Sequence, residues 1–148
     1  MKNLVTLEEM LPVMEEILNS GGSVTFTPNG SSMKPMLSDG KDTITLEKPE
    51  SHLKKYDLPL YKRENGSFVL HRVTNAENGV YTMRGDNQIE CEYGINHSQI
   101  IGVVTRFTRN GKEHTVNDFF YKLYVTLWCS DLNIFLKRVK RKLLSYIK

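Results

Sequence analysis

Three Asn-Gly pairs, Asn65-Gly66, Asn78-Gly79 and Asn110-Gly111, constrain the fold of this chain more than any other feature of its sequence. A tight β-hairpin needs positive φ at its central residues, and Asn followed by Gly tolerates that geometry best. Each pair separates short runs suited to strands. Leu58 to Lys62 precedes Phe68 to Val73, Val80 to Met83 follows Asn78-Gly79, and Ile100 to Thr108 precedes Glu113 to Val116. Upstream, Val24 and Phe26 alternate with Ser23, Thr25 and Thr27 until Pro28-Asn29-Gly30 stops the run, and Thr43 to Leu46 alternates again. Residues 23–116 are therefore predicted to form a mainly β body.

Helical patterns flank it. Thr6-Leu7-Glu8-Glu9 is a capping box, followed at helical spacing by Leu7, Met10, Leu11, Met14, Ile17 and Leu18 up to Gly21-Gly22. This predicts an amphipathic helix within residues 1–22, with Pro12 implying a kink or a later start. Beyond Asn117, Phe119, Phe120, Leu123, Tyr124, Leu127 and Trp128 predict one apolar helical face, and Ser130-Asp131 a break with a new cap. Leu132, Phe135, Leu136, Val139, Leu143 and Ile147 form a second stripe, with Lys137, Arg138, Lys140, Arg141 and Lys142 crowding the other side. The organisation expected is a helix in 1–22, a β body in 23–116 and a basic amphipathic helical pair in 117–148.

At 148 residues the chain can bury one sizeable core without metals or disulfides. Cys91 and Cys129 lack C-x-x-C spacing, so free thiols in a reducing compartment are expected. His52, His97 and His114 lack metal-ligand spacing, and no metal or other cofactor is expected. Glu8, Glu9, Glu15 and Glu16 interrupt any signal-like apolar run, and no stretch has the roughly 18 apolar residues of a membrane span. These features predict a cytoplasmic protein or one peripheral at a membrane surface. The net charge of +3 is unevenly placed: from Asn117 onward seven basic residues face Asp118 and Asp131, leaving the rest slightly acidic. An apolar stripe beside cations suits a membrane interface, and it also suits packing on the body or on a second copy. Nucleic acid is not an expected partner, because the body offers no basic and aromatic groove.

The chemistry-bearing residues centre on Gly30-Ser31-Ser32-Met33-Lys34-Pro35. A serine hydroxyl needs a base within hydrogen-bond reach and donors for the developing oxyanion. Gly30 allows a tight turn and Pro35 stiffens the exit, so the amide of Ser32 can face a substrate carbonyl. His71 can accept the serine proton, and Asp86, in Gly85-Asp86-Asn87, can orient the imidazole.

These residues occur in an ordered series: Gly-x-Ser-Met-x-Pro, Gly40-Lys41-Asp42-Thr43-Ile44, Val69-Leu70-His71-Arg72-Val73, Arg84-Gly85-Asp86-Asn87 and Ile100-Ile101-Gly102-Val103-Val104. The series resembles the LexA and signal peptidase I superfamily of serine peptidases, from about Thr25 to Phe107. The resemblance implies a mostly β peptidase fold with Ser32 as nucleophile. It is closest to the archaeal, endoplasmic-reticulum and sporulation-type branch, which has histidine where most bacterial members have lysine; Lys34, Lys41 and Lys62 do not occupy that position. The branch carries a further aspartate where this chain reads Gln88-Ile89-Glu90-Cys91-Glu92, so the third catalytic member is Asp86 or Glu92, with Glu90 a weaker candidate. Where many relatives place an oxyanion-donating serine, this chain has Gly30, leaving the amides around Ser32 and Gly30 and the hydroxyl of Ser31. The expected function is a stand-alone serine endopeptidase acting on an extended leader or preprotein peptide. The alternative is an inactive module of the same fold that binds peptides or a partner protein.

Overall fold

The computed structural model describes residues 5–147. Residues 1–4 of the expected N-terminal unit and Lys148 of the basic tail lie outside them. In chain order the elements are α1 (Leu7–Asn19), β1 (Ser23–Phe26), β2 (Ile44–Glu47), β3 (Pro59–Lys62), β4 (Phe68–Leu70), β5 (Arg72–Glu77), β6 (Val80–Arg84), β7 (Glu92–Asn96), β8 (Ile100–Arg109), β9 (Lys112–Thr115), α2 (Phe119–Trp128) and α3 (Asp131–Ile147). Helix takes 30% and strand 31% of the described residues, so antiparallel sheets are present as expected but the protein as a whole is mixed, and a mainly β character is supported only in part. The balance follows from element length: most strands run three to six residues, whereas the three α-helices run ten to seventeen.

All strand pairings are antiparallel and fall into two sheets. The larger has the order β1-β2-β8-β3-β4, with β9 folded back on β8; the smaller has the order β5-β6-β7. Asn78-Gly79 and Asn110-Gly111 adopt positive φ at both residues, the twist that closes β5-β6 and β8-β9 as tight hairpins. The run expected as one strand from Phe68 to Val73 is divided at His71. β4 ends the large sheet at Leu70, and β5 begins the small one at Arg72. The segment Glu92–Asn96 pairs with β6 as a strand without a clear alternating pattern in its sequence.

The buried residues form two cores, and the large sheet contributes to both, with Leu60 of β3 in the first and Tyr61 of β3 in the second. Ile44 and Leu46 of β2 are fully buried and pack with Met14 and Leu18 of α1 and with Met33, Met36 and Leu37 from the loop after β1. Tyr61, Val73, Tyr81, Met83 and Ile95 form the second core. Helix α1 begins at the capping box, where Thr6 N donates to Glu9 Oε2 at 2.8 Å and Glu9 N to Thr6 Oγ1 at 3.2 Å. It starts before Pro12, which sits inside it.

Helix α2 packs on the body through Tyr121, Tyr124, Val125 and Trp128. The expected apolar face is thus divided, because Phe119, Phe120, Leu123 and Leu127 remain exposed. The cap at Ser130 is present, with Asn133 N donating to its Oγ at 3.2 Å. A chain ending at Ser130 keeps α2, whereas one ending at Val116 loses the burial of Val125 and the hydrogen bonds of Tyr121, Tyr124 and Trp128. Denaturant unfolding is expected to place the shorter chain at least about 3 kcal/mol below the longer one.

Candidate functional site

The Ser32 loop is pinned at both ends. Met33, Met36 and Leu37 insert into the core, and the turn after β6 grips the loop backbone. Asn87 N donates to the Ser32 carbonyl at 2.8 Å, and Asn87 Nδ2 donates to the Ser31 carbonyl at 3.2 Å. Gly85 makes this approach possible: a Cβ there would lie 2.6 Å from the Ser32 carbonyl oxygen and 3.0 Å from the Ser32 Cβ. Gly30 has φ of +106°, and its amide donates to Asp39 Oδ1 at 2.7 Å. That amide is committed and cannot serve an oxyanion. The amides of Ser31 and Ser32 have no protein acceptor among the described residues.

Ser32 and His71 line one open cleft of about 300 Å³, together with Arg63, Gln88 and an apolar wall that includes Leu37 and Phe68. They make no direct hydrogen bond. His71 sits where the chain passes between the sheets, which encloses the ring and leaves it only 7% exposed. Its Nδ1 is buried without a hydrogen-bond partner, and the ring lies edge-on to Tyr61 at 6.4 Å between centroids. Burial, reinforced by the Arg63 cation, lowers its pKa to about 4 against the opposing pull of Glu92 and Asp86. The imidazole is therefore neutral at pH 7 and able to accept a proton.

The two candidate acids are held by other partners. Asp86 takes Arg72 Nε at 2.7 Å and Nη2 at 2.8 Å, and Tyr124 donates its hydroxyl at 2.8 Å. Both members of the ion pair are almost wholly buried. Arg72 also reaches the Tyr56 carbonyl, the Tyr121 hydroxyl and Met36 Sδ, while Trp128 and Lys137 donate to the Asp86 carbonyl. Glu92 accepts from Tyr61 at 3.0 Å and from Arg63 Nη2 at 2.7 Å, and the Arg63 hydrogen bonds hold its carboxyl below the usual range. Glu90 pairs with Arg141 at the surface. Neither Asp86 nor Glu92 hydrogen-bonds His71; both act on it through space.

Several residues of this site escape local sequence reading. Tyr124 and Trp128 belong to the expected apolar helical face, Tyr121 falls outside it, and only the tertiary fold brings all three to the Arg72–Asp86 pair. Cys129 joins them, with Sγ 3.5 Å from Asp86 Oδ1 and its thiol pushed up to about 12 by burial. Arg63 and Gln88 join the cleft from a hairpin and a turn. A wider cleft between residues 54–58 and α2 contains none of the candidate catalytic groups.

No protein-family model matches the chain, and no curated protein matches it at a significant level.

Removing the Asp86 carboxylate strands a buried guanidinium. Asp86→Ala is expected to cost about 3–5 kcal/mol in denaturant unfolding, whereas Glu92→Gln, at a partly exposed pair, should cost less than about 1 kcal/mol. Gly85→Ala is expected to cost about 1–3 kcal/mol as the Ser32 loop is pushed away, measured in the same assay.

Proposed function

We propose that the protein is a serine endopeptidase of LexA and signal-peptidase-like fold, cleaving an extended leader or preprotein peptide. The observation that carries this proposal is the shared cleft of Ser32 and a buried, neutral His71, at the positions of the ordered sequence series. Support also comes from β4, which ends the large sheet beside the cleft and can accept a peptide as an added strand.

In the proposed reaction the peptide draws Ser32 and His71 into hydrogen-bond contact, since catalytic contacts often tighten only with substrate bound. Ser32 Oγ attacks the scissile carbonyl carbon as His71 takes the hydroxyl proton. The carbonyl oxygen becomes an oxyanion facing the amides of Ser31 and Ser32, which no protein acceptor occupies. Collapse breaks the C–N bond, and His71 returns its proton to the leaving amine. Water, deprotonated by His71, then hydrolyses the acyl-enzyme and restores Ser32. The supporting acid acts through its field: Asp86 keeps its place by binding Arg72, the neighbour of His71 in the chain, and Glu92 by binding Arg63.

The second reading, a non-catalytic peptide-binding module, is favoured by one observation: His71 Nδ1 has no acid hydrogen-bonded to it. Cleavage of a leader-type peptide library by the full chain separates the two. A peptidase loses about 10⁴-fold or more in kcat/KM on Ser32→Ala and on His71→Ala. Peptide binding without cleavage by the unmodified chain supports the module, and cleavage that survives both substitutions contradicts the Ser32/His71 assignment.

The pH profile follows from burial of His71. Burial disfavours the imidazolium, so the neutral base persists as pH falls and is lost only near pH 4. The acidic limb of kcat/KM is expected there, well below the ~6.5 of a solvated imidazole.

A further inference from the structure

Helix α3 shows two chemically different sides. At about 100° per residue, Leu132, Phe135, Leu136, Val139, Leu143 and Tyr146 fall within an arc of roughly 100°. All six are exposed. The opposite side holds α3 to the protein: Ile134 is buried, Lys137 lies 4.3 Å from the Trp128 ring centroid and donates to the Asp86 carbonyl at 3.1 Å, and Arg141 pairs with Glu90 at 3.0 Å. The apolar stripe therefore points away from the body.

Helix α2 repeats the division. Tyr121, Tyr124, Val125 and Trp128 turn inward, while Phe119 and Phe120 are 72% and 80% exposed and Leu123 and Leu127 share their side. Two consecutive helices thus leave a contiguous stretch of sequence with apolar residues uncovered, which a folded protein rarely does without a partner.

The charges around the stripe select the occupant. Lys140 and Lys142 project from its two flanks, Arg138 follows behind Lys142, and Asp131 at the first turn is the only acid of α3. A second copy laid on this stripe would oppose lysines with lysines. An anionic bilayer surface matches the pattern, taking the apolar side among its acyl chains and the lysines among its headgroups. We propose that the outer face of α2 and α3 docks the protein on an anionic membrane surface. The helices lie in the interface plane, since no helix among the described residues is long and apolar enough to cross a membrane. The inner face of the same helices grips Asp86, so docking fixes the Ser32 cleft at a set height above the lipid.

Co-sedimentation of the full chain with lipid vesicles tests this directly. The protein is expected to pellet with phosphatidylcholine vesicles containing phosphatidylglycerol and much less with pure phosphatidylcholine. Lys140→Gln with Lys142→Gln should weaken binding to the mixed vesicles by about fivefold per lysine. Leu136→Gln with Leu143→Gln should weaken it about tenfold or more, because two apolar side chains leave the interface. These side chains face away from the body, so circular dichroism and the unfolding midpoint should be unchanged; Phe135→Ser alone provides the same test if the double variant misfolds. Ser32→Ala should bind as the unmodified chain does, which separates docking from peptidase activity. The proposal is overturned by no binding to mixed vesicles, including the case in which the chain instead sediments as a dimer through this face. It is also overturned by equal binding to both vesicle types, or by binding indifferent to the leucine and phenylalanine substitutions.

Discussion

The buried ion pair between Arg72 and Asp86 is the interaction on which the site depends. Two charges taken out of water cost several kcal/mol each, and the cost is met only if every polar atom finds a partner. Here the guanidinium is shared among Asp86, the Tyr56 carbonyl, the Tyr121 hydroxyl and Met36 Sδ, and the carboxylate also takes Tyr124. Those contacts tie together five parts of the chain: the start of β5, the turn after β6, the serine loop, the loop before β3 and α2. The pair thereby holds His71, which precedes Arg72, on the same cleft as Ser32, whose carbonyl is held by the turn containing Asp86.

That arrangement sets the electrostatics of the cleft. Committing Asp86 to Arg72 and Glu92 to Arg63 leaves His71 with two carboxylates in range and no hydrogen bond to either. Desolvation consequently decides its protonation, and the ring stays neutral across the physiological range. A base held neutral by burial differs from one held by a bonded acid. It keeps proton-accepting capacity at low pH, but its charged form receives less direct stabilisation once the serine proton arrives. Glu92 and Asp86 supply that stabilisation only through space, which is why Arg63, a cation lining the same cleft, matters to the balance.

The hairpins and the helix caps were legible in the sequence because they are local. Asn78-Gly79 and Asn110-Gly111 demand positive φ, and Thr6 with Glu9 satisfies its own helix terminus. The division of Phe68 to Val73 was not legible. Its apolar run reads as one strand, and only the second sheet explains why the chain turns at His71. The orientation of the C-terminal helices was hidden for a similar reason. The stripe of Leu132, Phe135 and Leu143 suits a membrane interface, the body or a second copy equally well by its pattern, and the contacts with the body are made instead by Ile134, Lys137 and Arg141. Periodicity identifies a side of a helix without saying which side meets the protein. The choice between Asp86 and Glu92 likewise rested on residues distant in sequence, since Arg72, Arg63, Tyr61 and Tyr124 claim the two carboxylates.

The most direct measurement is covalent labelling of the full chain with a serine-directed fluorophosphonate, mapped by mass spectrometry. An activated Ser32 beside a neutral His71 predicts a single adduct on Ser32, absent from Ser32→Ala and strongly reduced in His71→Ala. Labelling of the unmodified chain no greater than that of Ser32→Ala would contradict it.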